Sequence, residues 1–187
     1  MIGVLAAFGL AGATGLNAYL PLLIVGLLAR YTDLITLQAP WNALESPWVL
    51  GVLVVLLAVE TAVDKIPAAD TVNDVIQTAL RPAAGAILFA ASGNVISDMS
   101  PTLAMICGLL MAFGVHAAKA TVRPVVTVTT GGLGNPAVSV AEDVVSGTTT
   151  LIAVILPAVA ALLVLTVAGA FIWFIVRRRR RRRGAAV

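Results

Sequence analysis

The stretch PWVLGVLVVLLAVETAVDKIP, residues 47–67, decides what kind of chain this is. Trp48 to Val63 is an almost unbroken apolar run, yet Glu60 sits in its last turn, and Asp64 and Lys65 follow directly. A helix over this run places Glu60 and Asp64, four residues apart, on one face. Ionisable groups are costly in hydrocarbon, so an apolar run that carries them marks a functional site. A second run behaves alike: Thr102 to Ala120 is apolar until His116 and Lys119, with Arg123 one turn further on. Ser46-Pro47 and Ser100-Pro101 open the two runs in the same way, an N-cap residue followed by proline at the first helical position.

Composition supports a membrane class. The chain has 187 residues, 60% hydrophobic and 11% charged, with a mean hydropathy of +1.03; a soluble domain carries far more charge. The formal charge of +3 misleads, because Arg177–Arg183 are seven of the twelve basic residues, leaving five against nine acidic ones. The high pI describes a tail. No basic groove is interleaved with aromatics, so nucleic acid is not an expected partner. Cys107, the single cysteine, reads as a small core hydrophobe. Hydrolytic motifs are missing too. There is one histidine, no His-Glu-x-x-His and no Gly-x-Ser-x-Gly, and Thr130-Gly131-Gly132-Leu133-Gly134 lacks the lysine of a phosphate loop. Neither enzymatic activity nor a cofactor is expected.

Working outward, Ile2 to Leu28 is a run of 27 residues without charge, long enough to cross a bilayer core of ~30 Å. No basic residue precedes it, so it reads as a retained span and not a signal peptide. Gly12, Gly15, Asn17 and Pro21 interrupt it. The helix is either kinked there, or broken into half-helices whose exposed backbone lines a cavity; the plainer use of such residues is close helix packing. Arg30 to Ser46 is a polar connection that contains Trp41, with Trp48 just beyond it, and both tryptophans suit a membrane interface. The expected fold is all-α and polytopic, with spans at about 2–28, 48–63, 82–96, 102–120 and 151–176. The third is interrupted by Ser92-Gly93-Asn94, and the fifth carries Pro157. Two amphipathic helices are expected at about 70–81 and 136–148, at the interface or dipping back into the protein. The first sets Asp70, Asp74, Gln77 and Arg81 against Val72 and Ile76; the second sets Ser139, Glu142, Asp143 and Ser146 against Val138 and Val144. Residues 1–176 form one transmembrane domain and 177–187 a basic tail. A loose parallel two-unit repeat relates Pro47 to Pro101, Glu60 to His116 and Pro67 to Pro124, at separations of 54, 56 and 57 residues.

Seven arginines directly after a span mark the cytoplasmic side. Five spans then put the N-terminus outside, together with Lys65, Arg81, Lys119 and Arg123, whose acidic neighbours weaken their topological weight. The tail suits anionic lipid headgroups, at about 1 kcal/mol per arginine near the surface.

Four stretches in this order look like one family: Gly15-Leu16-Asn17-Ala18-Tyr19-Leu20-Pro21, Asp64-Lys65-Ile66-Pro67-Ala68-Ala69-Asp70, Thr78-Ala79-Leu80-Arg81-Pro82-Ala83-Ala84-Gly85-Ala86 and Asn135-Pro136-Ala137-Val138-Ser139-Val140-Ala141-Glu142-Asp143. They resemble the bacterial membrane family catalogued as domain of unknown function 4126. The resemblance covers nearly the whole chain up to the arginine block. It implies a multi-pass helical protein of prokaryotic inner membranes, and it implies no substrate.

Glu60 lies 13 residues after Pro47 and His116 lies 15 after Pro101, so both reach a similar depth. Glu60, Asp64, Lys65, Arg81, His116, Lys119, Arg123, Glu142 and Asp143 are therefore expected to form one polar chamber. Arg81, Lys119 and Arg123 would receive an anion there. Glu60, Asp64 and His116 would carry protons or switch pairing, His116 because its ordinary pKa is about 6.5. The expected function is a small transporter or flippase for a polar, anionic solute or lipid headgroup. One rival is a non-transporting scaffold whose charges pin helix ends and whose tail binds lipid or a partner. A second rival is a divalent-cation transporter using Glu60, Asp64, Asp70, Asp74, Glu142 and Asp143. The interspersed basic residues count against it, and no metal is expected. Five spans barely enclose a pathway, which favours a homo-oligomer.

Overall fold

The computed structural model describes residues 2–63, 67–92 and 99–156, with isolated positions 159, 162, 166, 169, 173 and 177; at residues 2, 67–72 and 74 it describes the backbone alone. The features expected at Asp64, Lys65, Gly93, Asn94, Pro157 and Arg178–Arg183, and the side chains of Asp70 and Asp74, lie outside the described residues.

Within these bounds the chain is all-α. Six helices follow in order: α1 (Ile2–Thr14), α2 (Tyr19–Tyr31), α3 (Pro47–Val63), α4 (Pro67–Ala91), α5 (Pro101–Thr130) and α6 (Asn135–Ile155), with a short 3-10 helix at Trp41–Glu45. Among the described residues, α5 and α6 are long and apolar enough to cross a membrane by length and composition. Helices α1, α2 and α3, and Val75–Ala91 of α4, are apolar but shorter.

The first apolar run is broken, not merely kinked. Helix α1 ends at Thr14 and α2 begins at Tyr19. Gly15 is the residue that makes the break fit, since a Cβ there would stand 2.6 Å from both Ala112 O and Val115 Cβ of α5. Asn17 then starts α2: its Oδ1 accepts the backbone N–H groups of Tyr19 and Leu20, both at 2.9 Å, doing the work of a helix cap. Pro21 falls in the first turn of α2, where its missing N–H costs little. Gly12, expected to share in the break, stays helical inside α1.

Three other boundaries differ from expectation. Helix α4 runs unbroken through Pro82, fusing the segments expected as an amphipathic helix over 70–81 and a span beginning at 82. Helix α5 continues through Pro124 to Thr130, ten residues beyond the expected end at 120. Helix α6 joins the amphipathic segment over 136–148 to the start of the expected fifth span. Each internal proline forfeits a backbone hydrogen bond. Burial outweighs that loss: Arg81, Pro82, Ala84 and Gly85 are all buried on α4, and Lys119 and Arg123 flank Pro124 on the buried stripe of α5. Pro67 begins α4 as expected, whereas its repeat partner Pro124 lies within a helix. Ser100 caps α5 in the expected way, its hydroxyl accepting Leu103 N–H at 3.2 Å.

Helix α4 packs along α5, α1 leans on α4, α5 and α6, and α2 joins α3 to α6. The α4–α5 crossing is closest at two glycines. A Cβ on Gly85 would meet Gly108 O at 2.7 Å and Ala112 Cβ at 2.5 Å. Small residues let the backbones touch there. The buried face of α5 is a single stripe at three- and four-residue spacing: Ala104, Gly108, Ala112, His116, Lys119 and Arg123. Its first half is small and its second half charged. Beside the small half, Phe8 meets Phe89 edge-on, with centroids 5.0 Å apart. The outer faces are apolar: Val52, Val55 and Val59 on α3, Ile106, Leu110 and Phe113 on α5, and Val140, Val144 and Ile155 on α6 are exposed. On α3 the contrast is direct, with Val55 61% exposed and Glu60 3%.

Candidate functional site

Two ionic groups share the charged half of α5. In the first, α3 supplies Glu60, α4 supplies Arg81 and α5 supplies His116. Arg81 Nη2 donates to Glu60 Oε1 at 3.1 Å, and Arg81 Nη1 lies 2.9 Å from His116 Nδ1. A guanidinium can only donate, so His116 Nδ1 accepts and the ring carries its proton on Nε2. That nitrogen meets Thr78 Oγ1 at 3.0 Å. Gln77, buried on α4 one turn before Arg81, stands beside Tyr19, which also feels the charges of Glu60 and Arg81. Gln77 Oε1 and Arg81 Nε have no hydrogen-bond partner among the described residues. This group is sealed: the side chains of Arg81 and Glu60 are 0% and 2% exposed.

The second group sits at the break between α1 and α2. Glu142 Oε2 on α6 receives Lys119 Nζ at 2.8 Å and Arg123 Nη2 at 3.2 Å, both from α5. Lys119 Nζ also donates to Leu16 O, in the break, at 3.3 Å. Asn17 Nδ2 donates to Asp143 Oδ1 at 2.8 Å, and Ser146 Oγ donates to Ala13 O in the last turn of α1 at 2.9 Å. The loose end of α1 and the start of α2 are thus tied to α5 and α6 by side chains, which supply partners the missing helical turn cannot. Thr127 Oγ1 and Asn135 Oδ1, 3.0 Å apart, join α5 to α6. Arg81 is near enough to Lys119 for the two charges to repel, which links the groups through α5.

Glu60, Arg81 and His116 therefore meet in one group, and Lys119, Arg123, Glu142 and Asp143 in the other; Asp64 and Lys65 lie outside the described residues. Within each group unlike charges are buried together, because isolated ones would be far costlier. A cavity of about 260 Å³ lies elsewhere, between apolar residues that include Leu10, Val25, Leu37, Leu88 and Ala153. The polar stripe of the segment over 136–148 is turned inward: Ser139 and Ser146 are buried. Among the described residues no three of the His, Cys, Asp and Glu side chains come together as metal ligands would.

Sequence reasoning missed Thr78, Tyr19 and the Leu16 carbonyl as members of the site. Thr78 had a usable signal, because it precedes Arg81 by three residues and so shares its face. The carbonyl had none, since a backbone oxygen joins the site only once the break is placed.

No curated protein and no solved structure matches the chain. Residues 4–177 do match one family model, described as "Domain of unknown function (DUF4126)". That span runs from the first turns of α1 to the first residue of the arginine block, so the chain belongs to the family of domain of unknown function 4126.

Proposed function

We propose that this protein is a multi-pass membrane protein that moves a polar, anionic solute or lipid headgroup, held where the broken α1–α2 segment meets α5 and α6. One observation carries the reading: Arg81, Lys119 and Arg123 are all buried beside a discontinuous helix, each against a carboxylate from another helix. Non-helical backbone at membrane depth is tolerated where it is enclosed by protein or lines a polar cavity, and broken helices of this kind frame substrate sites in transporters. Apolar outer faces around a charged interior support the membrane setting. On this reading the cytoplasmic arginine tail lies on anionic headgroups of a prokaryotic inner membrane, the N-terminus is external, and copies associate. Lys119 and Arg123 receive the anion as Glu142 lets go. Arg81 is the third cation, and its hold on His116 ends when that ring takes a second proton, since Nδ1 can then no longer accept.

A scaffold without transport is favoured by one contrary observation: the charges pair closely with one another. Glu60→Gln and Arg123→Gln separate the two readings. Each variant is melted in detergent and assayed for flux or headgroup translocation in proteoliposomes. Transport predicts folded, inserted protein with lost flux. Activity that merely follows the folded fraction, or wild-type protein inert towards a panel of anions and anionic lipids, supports the scaffold.

A further inference from the structure

Glu142 holds its two cations in an unusual manner. Both Lys119 Nζ and Arg123 Nη2 converge on Oε2, and Glu142 Oε1 takes no hydrogen bond among the described residues. A guanidinium facing a carboxylate commonly uses two parallel bonds; here Arg123 and Lys119 share a single oxygen. The carboxylate is also the least enclosed of these three, with a side chain 14% exposed against 3% for Lys119 and 6% for Arg123. Glu60 offers no such opening, being 2% exposed beside Arg81.

Lys119 is held in place by more than Glu142. Lys119 Nζ is anchored on Leu16 O in the helix break. Thr127 Oγ1 braces the helix turn at Arg123 O, at 3.0 Å, and also reaches Asn135 on α6. Two buried donors, one of them anchored on the backbone, facing a partly exposed internal carboxylate make an oxoanion site already occupied by the protein's own group. Among the described residues, Arg81 on α4 also bears on Lys119, and Asp143, next to Glu142 in sequence, is held by Asn17.

We infer that Glu142 is an internal surrogate ligand: Lys119 and Arg123 form a binding site for a carboxylate- or phosphate-type oxoanion, which enters by displacing the Glu142 carboxylate. This rests on the anion reading above and names the chemistry of its substrate, but it concerns binding and is tested apart from flux.

The experiment uses the purified full chain in detergent, at constant ionic strength, with acetate and inorganic phosphate as probes and chloride as the control. Glu142→Ala should melt lower than wild type and be restored saturably by acetate or phosphate. The same change combined with Arg123→Gln should not respond. Glu142→Gln, close to isosteric, covers the case in which the alanine variant fails to fold. It should bind phosphate about tenfold tighter than wild type, because the competing charged contact is gone. Unchanged phosphate affinity in Glu142→Gln, or equal rescue of wild type and the double variant, would overturn the surrogate. A short-chain soluble phosphatidic acid, tested beside inorganic phosphate, separates a lipid headgroup from a free anion: tighter binding of the lipid assigns the headgroup. Binding with this pattern but no flux in proteoliposomes leaves the surrogate standing and removes transport alone.

Discussion

Arg81 and Arg123 each stand directly before a proline inside a helix, and each holds a glutamate from another helix, yet their surroundings differ. Arg81 is locked among α3, α4 and α5 with no exposed surface, and its second hand holds a histidine. Arg123 shares its glutamate with a lysine, at a place where the backbone itself is open and the carboxylate is partly exposed. The same pair of residue types therefore serves two ends. Full enclosure raises the penalty for separating charges, which suits a lock; partial exposure and a shared oxygen lower it, which suits exchange.

Substitutions can break that contrast, and the largest effect belongs to the sealed group. Arg81→Met leaves Glu60 buried without its cation and should cost about 3–5 kcal/mol, read as a fall in the denaturation midpoint of the detergent-solubilised protein. Adding Glu60→Gln should recover most of the loss, giving a strong coupling in a double-mutant cycle. Additive losses would show that the pair is not a unit. Glu142→Gln should cost less, about 1–2 kcal/mol, since its two charge-assisted contacts weaken at a partly exposed position and a neutral amide oxygen can still accept. A loss as large as that of Arg81→Met would erase the distinction between the two groups. Asn17→Ala removes both the cap of α2 and the partner of Asp143, and should cost about 1 kcal/mol. Its signature is faster amide exchange at Tyr19 and Leu20. Thr78→Val is the smallest, at about 0.5–1.5 kcal/mol, seen chiefly as a changed environment of the His116 ring by NMR.

Much of this was legible in the sequence, for identifiable reasons. Glu60 and His116 both reach Arg81 because similar lengths of apolar helix precede them, and period alone transmits that. The break near Asn17 was legible because glycine, asparagine and proline each weaken helix for a local cause. Which glycine bears the break was not. Gly12 and Gly15 are alike in sequence, and only the approach of Ala112 and Val115 singles out Gly15. Pro82 and Pro124 misled for the converse reason. Their local effect is to stop a helix, and the buried residues around them on α4 and α5 outweigh it. Residue types carry charge but not which partner each charge takes. Whether Arg81 reaches Glu60 or leaves a gap is decided by the distance between α3 and α4.

The contact between Gly85 and Gly108 acts as a fulcrum. Backbones that touch cannot slide past one another or close further, so the freedom left to α4 and α5 is to scissor about that point. Along α5, Arg123 lies 15 residues beyond Gly108, a lever arm of about 22 Å. A swing of about 5° moves its guanidinium by about 2 Å on that arm, enough to part it from a carboxylate now 3.2 Å away. Arg81, one turn from Gly85, hardly moves under the same swing. A pair of residues with no side chain at all thus sets which ion pair yields first.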